Sequence, residues 1–140
     1  MFFGNLNYIT IIVAAIIGTA VGALWYTPYT FGPLWLKTKG WTDEHMKAKK
    51  HKQSMVRVHA LQFLGTLAIA VVLAGLFNSL IVSGMSGILF VGFCVWIGFS
   101  VPTKLVDYLF GGDSLGFFLI SIGHTLVTIL AMSLVIGIFG

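Results

Sequence analysis

Charged residues are scarce in this 140-residue sequence. They make up 9% of it, whereas ordinary soluble domains carry about 25%. Hydrophobic residues make up 58%, and the mean hydropathy is +1.00. So little polar surface excludes a water-soluble domain of this length and indicates lipid as the solvent. We therefore expect a single domain over residues 1–140, with no second domain in water.

Cysteine and the familiar catalytic motifs are also lacking. Cys94 is the single cysteine, so one chain can form neither a disulfide framework nor a cysteine-based metal site. The four histidines are scattered without metal-ligand spacing, and no nucleophile-elbow sequence surrounds Ser100. The N-terminal region lacks the basic segment and cleavage site of a signal peptide. We predict no metal, cofactor or nucleic-acid partner, and an enzyme is the least supported function.

Four long apolar runs are what the sequence has instead. Crossing the hydrocarbon core as a helix takes roughly 20 mostly apolar residues, and the runs lack the period-two alternation of a β-barrel. They extend over about Tyr8–Tyr26, Val56–Asn78, Gly87–Phe110 and Leu115–Phe139. The sequence therefore predicts an all-α integral membrane protein with four transmembrane helices. Between the last two, glycines can end one helix, and Asp113 or Ser114 can cap the next.

The basic residues gather around one connection. Seven of the eight lie in or beside the first loop, residues 27–55, and the eighth is Lys104 near the end of the third span. The positive-inside rule then places both regions in the cytoplasm and both termini outside the plasma membrane. We interpret five of these residues as facing lipid: Lys47, Lys49, Lys50, Lys52 and Arg57. Each can add about 1 kcal/mol of attraction to anionic lipids; the simpler interpretation is a solvated loop that sets topology.

Polar side chains within the spans are the candidate functional residues, because each is costly in lipid unless it is paired. The candidates for a ligand or ion pathway are His59, Gln62, Ser100, Lys104, Asp107, Ser121, His124 and Thr128. They form stripes on the second, third and fourth spans, all in the predicted cytoplasmic half. Facing inward, the stripes would make one polar cavity. His124 would form its floor, about ten residues or roughly 15 Å into the last span.

Each candidate also has a structural interpretation. Lys104 and Asp107, three residues apart, can form an interfacial ion pair that anchors the topology. His124 can donate a hydrogen bond to a neighbouring helix. Pro102 leaves backbone carbonyls without a helical donor, which can bind a ligand or permit a hinge.

Two functions follow from these interpretations. We favour a homo-oligomeric protein that binds or transports a small solute or ion, with His124 exchanging a proton near neutral pH. The alternative is a structural or accessory subunit whose basic loop docks a partner or an anionic lipid.

Small residues repeat every four positions on the first span, at Ala14, Gly18 and Gly22. Such a stripe lets another helix approach closely. The neighbour can belong to the same chain or to a second copy, and four short helices enclose little volume, so a pathway is easier to build in an oligomer.

The end of the first span also carries a recognisable motif. Residues 22–28 read GALWYTP and resemble the GALWYSP signature of the DUF1761 family of small membrane proteins. Residues 98–99, 109–112 (LFGG) and 123–127 (GHTLV) resemble that family's third-helix end and its GYHLV-like fourth-helix motif. The similarity covers nearly the whole chain. It implies a four-helix bacterial or archaeal membrane protein and no known activity, because the family is defined without one.

The sequence departs from the family pattern at two places. Gly111 and Asp113 stand where the family typically has an acidic and a basic residue, in an LFEGR-like turn. Gly123 stands where a tyrosine is usual. If the charged turn residues serve a shared function, we expect Lys104 and Asp107 to supply those charges here.

Overall fold

The computed structural model describes residues 3–25, 55–82 and 84–140, together with Leu34 and Lys37. These residues form α1 (Tyr8–Trp25), α2 (Met55–Leu80), α3 (Gly84–Gly111) and α4 (Leu115–Phe139). Within them there is no strand, and the four helices are long and apolar enough to cross a membrane. The predicted fold class is confirmed, and the helix ends lie within three residues of the predicted spans.

α4 is the helix around which the others are arranged. It packs extensively against α1 and α3 and less against α2, while α1 also packs against α2 and the contact between α2 and α3 is sparse. The core between them is apolar and includes Ile11, Ala14, Ala15, Ala70, Leu73, Ile129, Met132 and Ile136. Many large apolar side chains remain on the outside, as expected where lipid rather than water surrounds the bundle.

Side-chain hydrogen bonds show which helix ends lie together. The Thr10 hydroxyl donates to the carbonyl of Phe139 at 3.3 Å, and the Asn78 amide donates to the carbonyl of Gly4 at 2.7 Å. The start of α1 and the ends of α2 and α4 therefore share one end of the bundle. The opposite end, which we name the turn end, holds Trp25 and the turn at residues 112–114.

The turn between α3 and α4 is built as the sequence predicts. Gly112 adopts a left-handed conformation with φ 74°, which ends α3 without the steric cost of a Cβ. The Ser114 hydroxyl then accepts a hydrogen bond from the Phe117 N–H at 3.2 Å. Ser114, rather than Asp113, is thus the cap of α4.

α3 is not a regular α-helix along its whole length. Trp96–Ser100 forms a π-helical turn, closed by a hydrogen bond from the Val101 N–H to the carbonyl of Trp96. Pro102, two residues after Ser100, has no N–H to give to the preceding turn, which favours a local departure from α geometry. The Thr103 hydroxyl donates to the carbonyl of Phe99 at 2.6 Å and so satisfies one acceptor of this region.

Candidate functional site

A cleft of about 550 Å³ opens at the turn end, between the last turns of α3 and the first turns of α4. Its volume lies in the range of small-molecule sites. The polar lining comprises Lys104, Asp107, Asp113 and Ser121, and the aromatic lining comprises Tyr108, Phe110, Phe117 and Phe118. We name this cavity the turn cleft. It combines charges of both signs with aromatic rings.

The charged groups of the turn cleft are held at separate positions. Lys104 is half-buried and Asp107 is exposed; although they share a face of α3, the described residues contain no ion pair between them. The predicted ion pair is therefore absent from this structure. The Asp113 carboxylate turns back over the end of α3, where its Oδ2 lies 3.7 Å from the position that a Cβ on Gly111 would take.

The aromatic rings give the turn cleft a flat apolar wall. The rings of Tyr108 and Phe118 stack with centroids 5.2 Å apart and planes inclined by 27°. The wall thus joins α3 to α4 directly beside the charged groups.

A second polar group lies deeper, where α1, α2 and α4 meet. Gly22 is buried there, and a Cβ at its position would lie 2.9 Å from Gln62 Nε2 and 3.0 Å from His124 Nε2. The Trp25 ring lies 6.3 Å from the His124 ring, and its Cζ2 would be 3.2 Å from a Cβ on Gly123. We name Gly22, Trp25, Gln62 and His124 the histidine cluster. Because Gly22 has no side chain, the polar ends of Gln62 and His124 can both approach α1 at this position.

Beyond His124, α4 carries two buried polar residues, Thr128 about one turn further and Ser133 beside Gly92 of α3. Thr128 is buried, and its hydroxyl makes no hydrogen bond with any part of the chain that the structure describes. Met132 follows, fully buried, with its Sδ only 2.6 Å from where a Cβ on Gly18 would lie. Ile129 and Ile136 fill the remaining interior. Apart from Ser133, the interior beyond Thr128 is apolar and closes the bundle there.

The structure distributes the eight pathway candidates over several places. Lys104, Asp107 and Ser121 line the turn cleft, whereas Gln62 and His124 belong to the histidine cluster. The predicted single cavity is thus divided in two.

The remaining candidates lie apart from both groups. His59 is exposed on the outside of α2. Ser100 lines a separate, apolar groove of about 370 Å³ between α2 and α3. Arg57 is exposed at the start of α2, and Lys47, Lys49, Lys50 and Lys52 lie outside the described residues.

The small-residue stripe of α1 packs within the chain. Ala14, Gly18 and Gly22 are all buried, and Gly18 faces Thr66 of α2 and Met132 of α4. The structure thus gives the stripe an intramolecular role.

Two of the residues at these sites, Asp113 and Trp25, are not assigned to a functional site from the sequence. Asp113 is named there as a candidate helix cap and as a departure from the family's turn, and not as a pathway residue, yet it lines the turn cleft. Its place in a tight turn directly after α3 is the signal for that position. Trp25 was expected only as part of a motif, and it packs on His124. Among the described residues, no three histidine, cysteine, aspartate or glutamate side chains are grouped to hold a metal.

The sequence model of DUF1761, described as a protein of unknown function, matches residues 9–137. The chain belongs to the DUF1761 family. The resemblance read from the motifs is thereby confirmed. No curated protein and no solved structure matches the chain.

Three of the four DUF1761 motifs lie at the two polar regions of this structure, while Phe99 of the remaining one lines the apolar groove. The first motif supplies Gly22 and Trp25, and the last supplies Gly123 and His124, so segments about 100 residues apart in sequence meet in the histidine cluster. The turn motif at residues 109–112 lies beside the turn cleft, to which Phe110 and Gly111 contribute. For this DUF1761 protein, the motif residues are therefore in contact with the candidate functional groups.

Proposed function

We propose that this protein binds a small solute or ion in the turn cleft and, as a homo-oligomer, passes the solute or a proton across the membrane. The observation that carries the proposal is the turn cleft itself: Lys104, Asp107 and Asp113 converge on one cavity at the end of an apolar bundle. Charged side chains in or near lipid are costly and typically serve ligand or ion pathways.

The histidine cluster supplies a second step in this proposal. Ser121 lines the turn cleft, and His124 lies three residues further along α4, about 4.5 Å at 1.5 Å per residue. An imidazole changes its charge near neutral pH and can therefore accept a proton arriving from the turn cleft and release it again. Gln62 and Thr128 are the polar neighbours that would form hydrogen bonds along the path of that proton.

The homo-oligomer in this proposal is motivated by the closed interior. Met132 and the apolar core seal the bundle beyond Thr128, so a complete path needs either movement of Met132 or a passage between copies. The span Gly84–Gly111 is only 11% buried over its most apolar window. α3 therefore offers a face for a second copy.

The membrane orientation belongs to the same proposal. Lys104 and Arg57 lie toward the turn end, where α1 ends and α2 begins. The positive-inside rule favours placing this end in the cytoplasm of a prokaryotic cell, with the termini on the other side. The turn cleft would then open to the cytoplasm.

The test is proton and ion flux in liposomes, with His124→Gln compared against His59→Gln. Glutamine removes the titratable group from either site, but His59 is exposed outside both polar regions. We expect His124→Gln to lower flux by about 100-fold, the lower end of the contribution usual for one positioned proton-transfer group. His59→Gln should retain the flux of the unchanged protein. Equal flux from both variants, each folded and reconstituted, would rule out His124 as a carrier.

An accessory membrane subunit is the second candidate function. The sparse contact between α2 and α3 and the low burial of α3 favour it, because these faces can pack against another protein. Its basic loop would dock the partner or anionic lipid. Purification from native membranes with a stoichiometric partner, together with absent flux, would favour this candidate over transport.

A further inference from the structure

We infer that the ligand of the turn cleft is a zwitterion that carries an ammonium group and an anionic group. The inference rests on the proposed function, since it takes the turn cleft as a ligand site. Two sources have this chemistry: the headgroup of an ethanolamine phospholipid, and a free zwitterion of similar size dissolved in water.

The charges of the turn cleft favour a ligand with both signs. An anion alone would face the carboxylates of Asp107 and Asp113, and a cation alone would face the ammonium of Lys104. In a site partly screened from water, each like-charge contact is more repulsive than it would be in solvent. A zwitterion places its anionic group at Lys104 and its ammonium group at the carboxylates. It thus meets each charged group with the opposite charge.

The gap between Lys104 and Asp107 supports the same conclusion. At three residues apart on a helix, oppositely charged side chains can reach each other, yet they form no ion pair within the described chain. The Asp113 carboxylate also lines the cleft, with Oδ2 3.7 Å from the position of a Cβ on Gly111. The lining charges thus leave space between them in which a bifunctional ligand would bridge the two signs.

The aromatic wall adds a second attraction for the ammonium end. Tyr108 and Phe118 stack on one side of the turn cleft. The face of an aromatic ring attracts a cation placed within about 6 Å of its centroid. Carboxylates and rings together therefore favour an ammonium group over an uncharged hydrogen-bond donor.

The position of the turn cleft explains why a lipid is one of the two sources. Phe110, which lines the cleft, is 87% exposed, and its neighbour Leu109 is 64% exposed. These side chains would lie against acyl chains while a headgroup entered the cleft. A free zwitterion would instead enter from the aqueous side at the turn between α3 and α4.

The experiment compares two matched pairs of probes by native mass spectrometry and by calorimetry. In the lipid arm, phosphatidylethanolamine is compared with phosphatidylglycerol, which has the phosphate but no ammonium group. In the free arm, O-phosphoethanolamine is compared with glycerol 3-phosphate in the same way. Each arm is run on the unchanged protein, on Lys104→Gln and Asp113→Asn, and on Lys37→Gln. Lys37 is an exposed lysine that does not line the turn cleft.

We expect the ammonium-bearing probe of one pair to bind at least about tenfold more tightly than its partner, as charge-assisted contacts at both ends would give. The arm that shows this preference identifies the source. Lys104→Gln and Asp113→Asn should each abolish most of the preference, while Lys37→Gln should keep it. Circular dichroism and size-exclusion profiles confirm that each variant is folded.

Equal binding within both pairs would overturn the inference, as would a preference that survives in both cleft variants. Such a result together with His124-dependent flux would refute the zwitterion alone and leave the proposed function standing. If the unchanged protein showed neither the preference nor His124-dependent flux, both the zwitterion and the proposed function would be refuted.

Discussion

At the scale of single residues, glycines on α1 determine how closely its neighbours approach. Gly18 and Gly22 are buried against side chains of α2 and α4, and both positions lack space for even one extra methyl group. Gly65 on α2 has no atom within 4 Å of where its Cβ would be. The same glycine-to-alanine change should therefore be costly at Gly18 or Gly22 and harmless at Gly65.

We expect Gly18→Ala to lower the free energy of unfolding by about 1–3 kcal/mol, the usual cost of overpacking a filled interior. The new methyl group would lie 2.6 Å from Met132 Sδ and 2.8 Å from Thr66 Cγ2, so both side chains must move. The matched change Gly65→Ala meets open space and should cause no loss. Unfolding in mixed micelles measures both variants, and equal stabilities would contradict the packing shown by the structure.

Single residues also show which parts of the candidate site could be predicted from the sequence and which could not. His59 and Gln62 look equivalent in the sequence, three residues apart on the polar stripe predicted for the second span. The stripe does not by itself show which of its members meets a neighbouring helix, because the rest of the span is apolar. The structure turns Gln62 toward Gly22 and leaves His59 exposed. Residue type thus identified candidates, but only the packing against α1 separated them.

At the scale of elements, two indole groups join α1 and α3 to the same segment of α4. Trp25 Nε1 donates to the carbonyl of Ile120 at 3.2 Å, and Trp96 Nε1 donates to the carbonyl of Ile122 at 2.8 Å. Neither contact follows from hydropathy, because a tryptophan near a span end is equally typical of the membrane interface. Both bonds tie neighbouring helices to α4 close to the turn end.

We expect Trp96→Phe to destabilise the bundle by about 0.5–1.5 kcal/mol for the lost hydrogen bond, plus a contribution from the smaller ring. Phe99→Leu is the control on the same π-helical turn, because Phe99 is 72% exposed and its carbonyl bond to Thr103 does not use its ring. Unfolding measured in micelles should show a loss for Trp96→Phe alone. Similar losses for both would mean that the indole bond contributes little.

The four spans could be predicted from the sequence because a helix that crosses a bilayer must be long enough and apolar enough. The π-helical turn at Trp96–Ser100 could not, since Pro102 indicates a disturbance without specifying its form. Such a turn adds a residue to the helix and so changes which side of α3 the following residues face. That is one reason why Ser100 and Lys104, assigned to a single stripe from the sequence, line different cavities.

At the scale of the whole molecule, the described helix ends form two opposite sets. Gly4, Asn78 and Phe139 are brought together at one end, and the turn capped by Ser114 is at the other. The charge distribution predicts that the turn end faces the cytoplasm.

Cysteine labelling tests this orientation in a Cys94→Ser background. We expect Ile81→Cys to react with a membrane-impermeant maleimide in intact cells, because Ile81 is 85% exposed just beyond α2. Ser114→Cys should react only after permeabilisation, since positive charge keeps its end of the bundle inside. If only Ser114→Cys were labelled in intact cells, the orientation would be the reverse of the predicted one. Equal labelling of the two cysteine variants would contradict a single orientation.

The central position of α4 has a consequence for how the protein is made. Among the described helices it is the last to emerge from the ribosome, yet it provides most of the packing surface for α1 and α3. Helices inserted in lipid associate afterwards through close packing rather than through exclusion of water. Until α4 is inserted, α3 has only its sparse contact with α2 to hold it. Assembly therefore waits until α4 is inserted, and a chain cut before Leu115 would leave its inserted helices without the helix that packs against them.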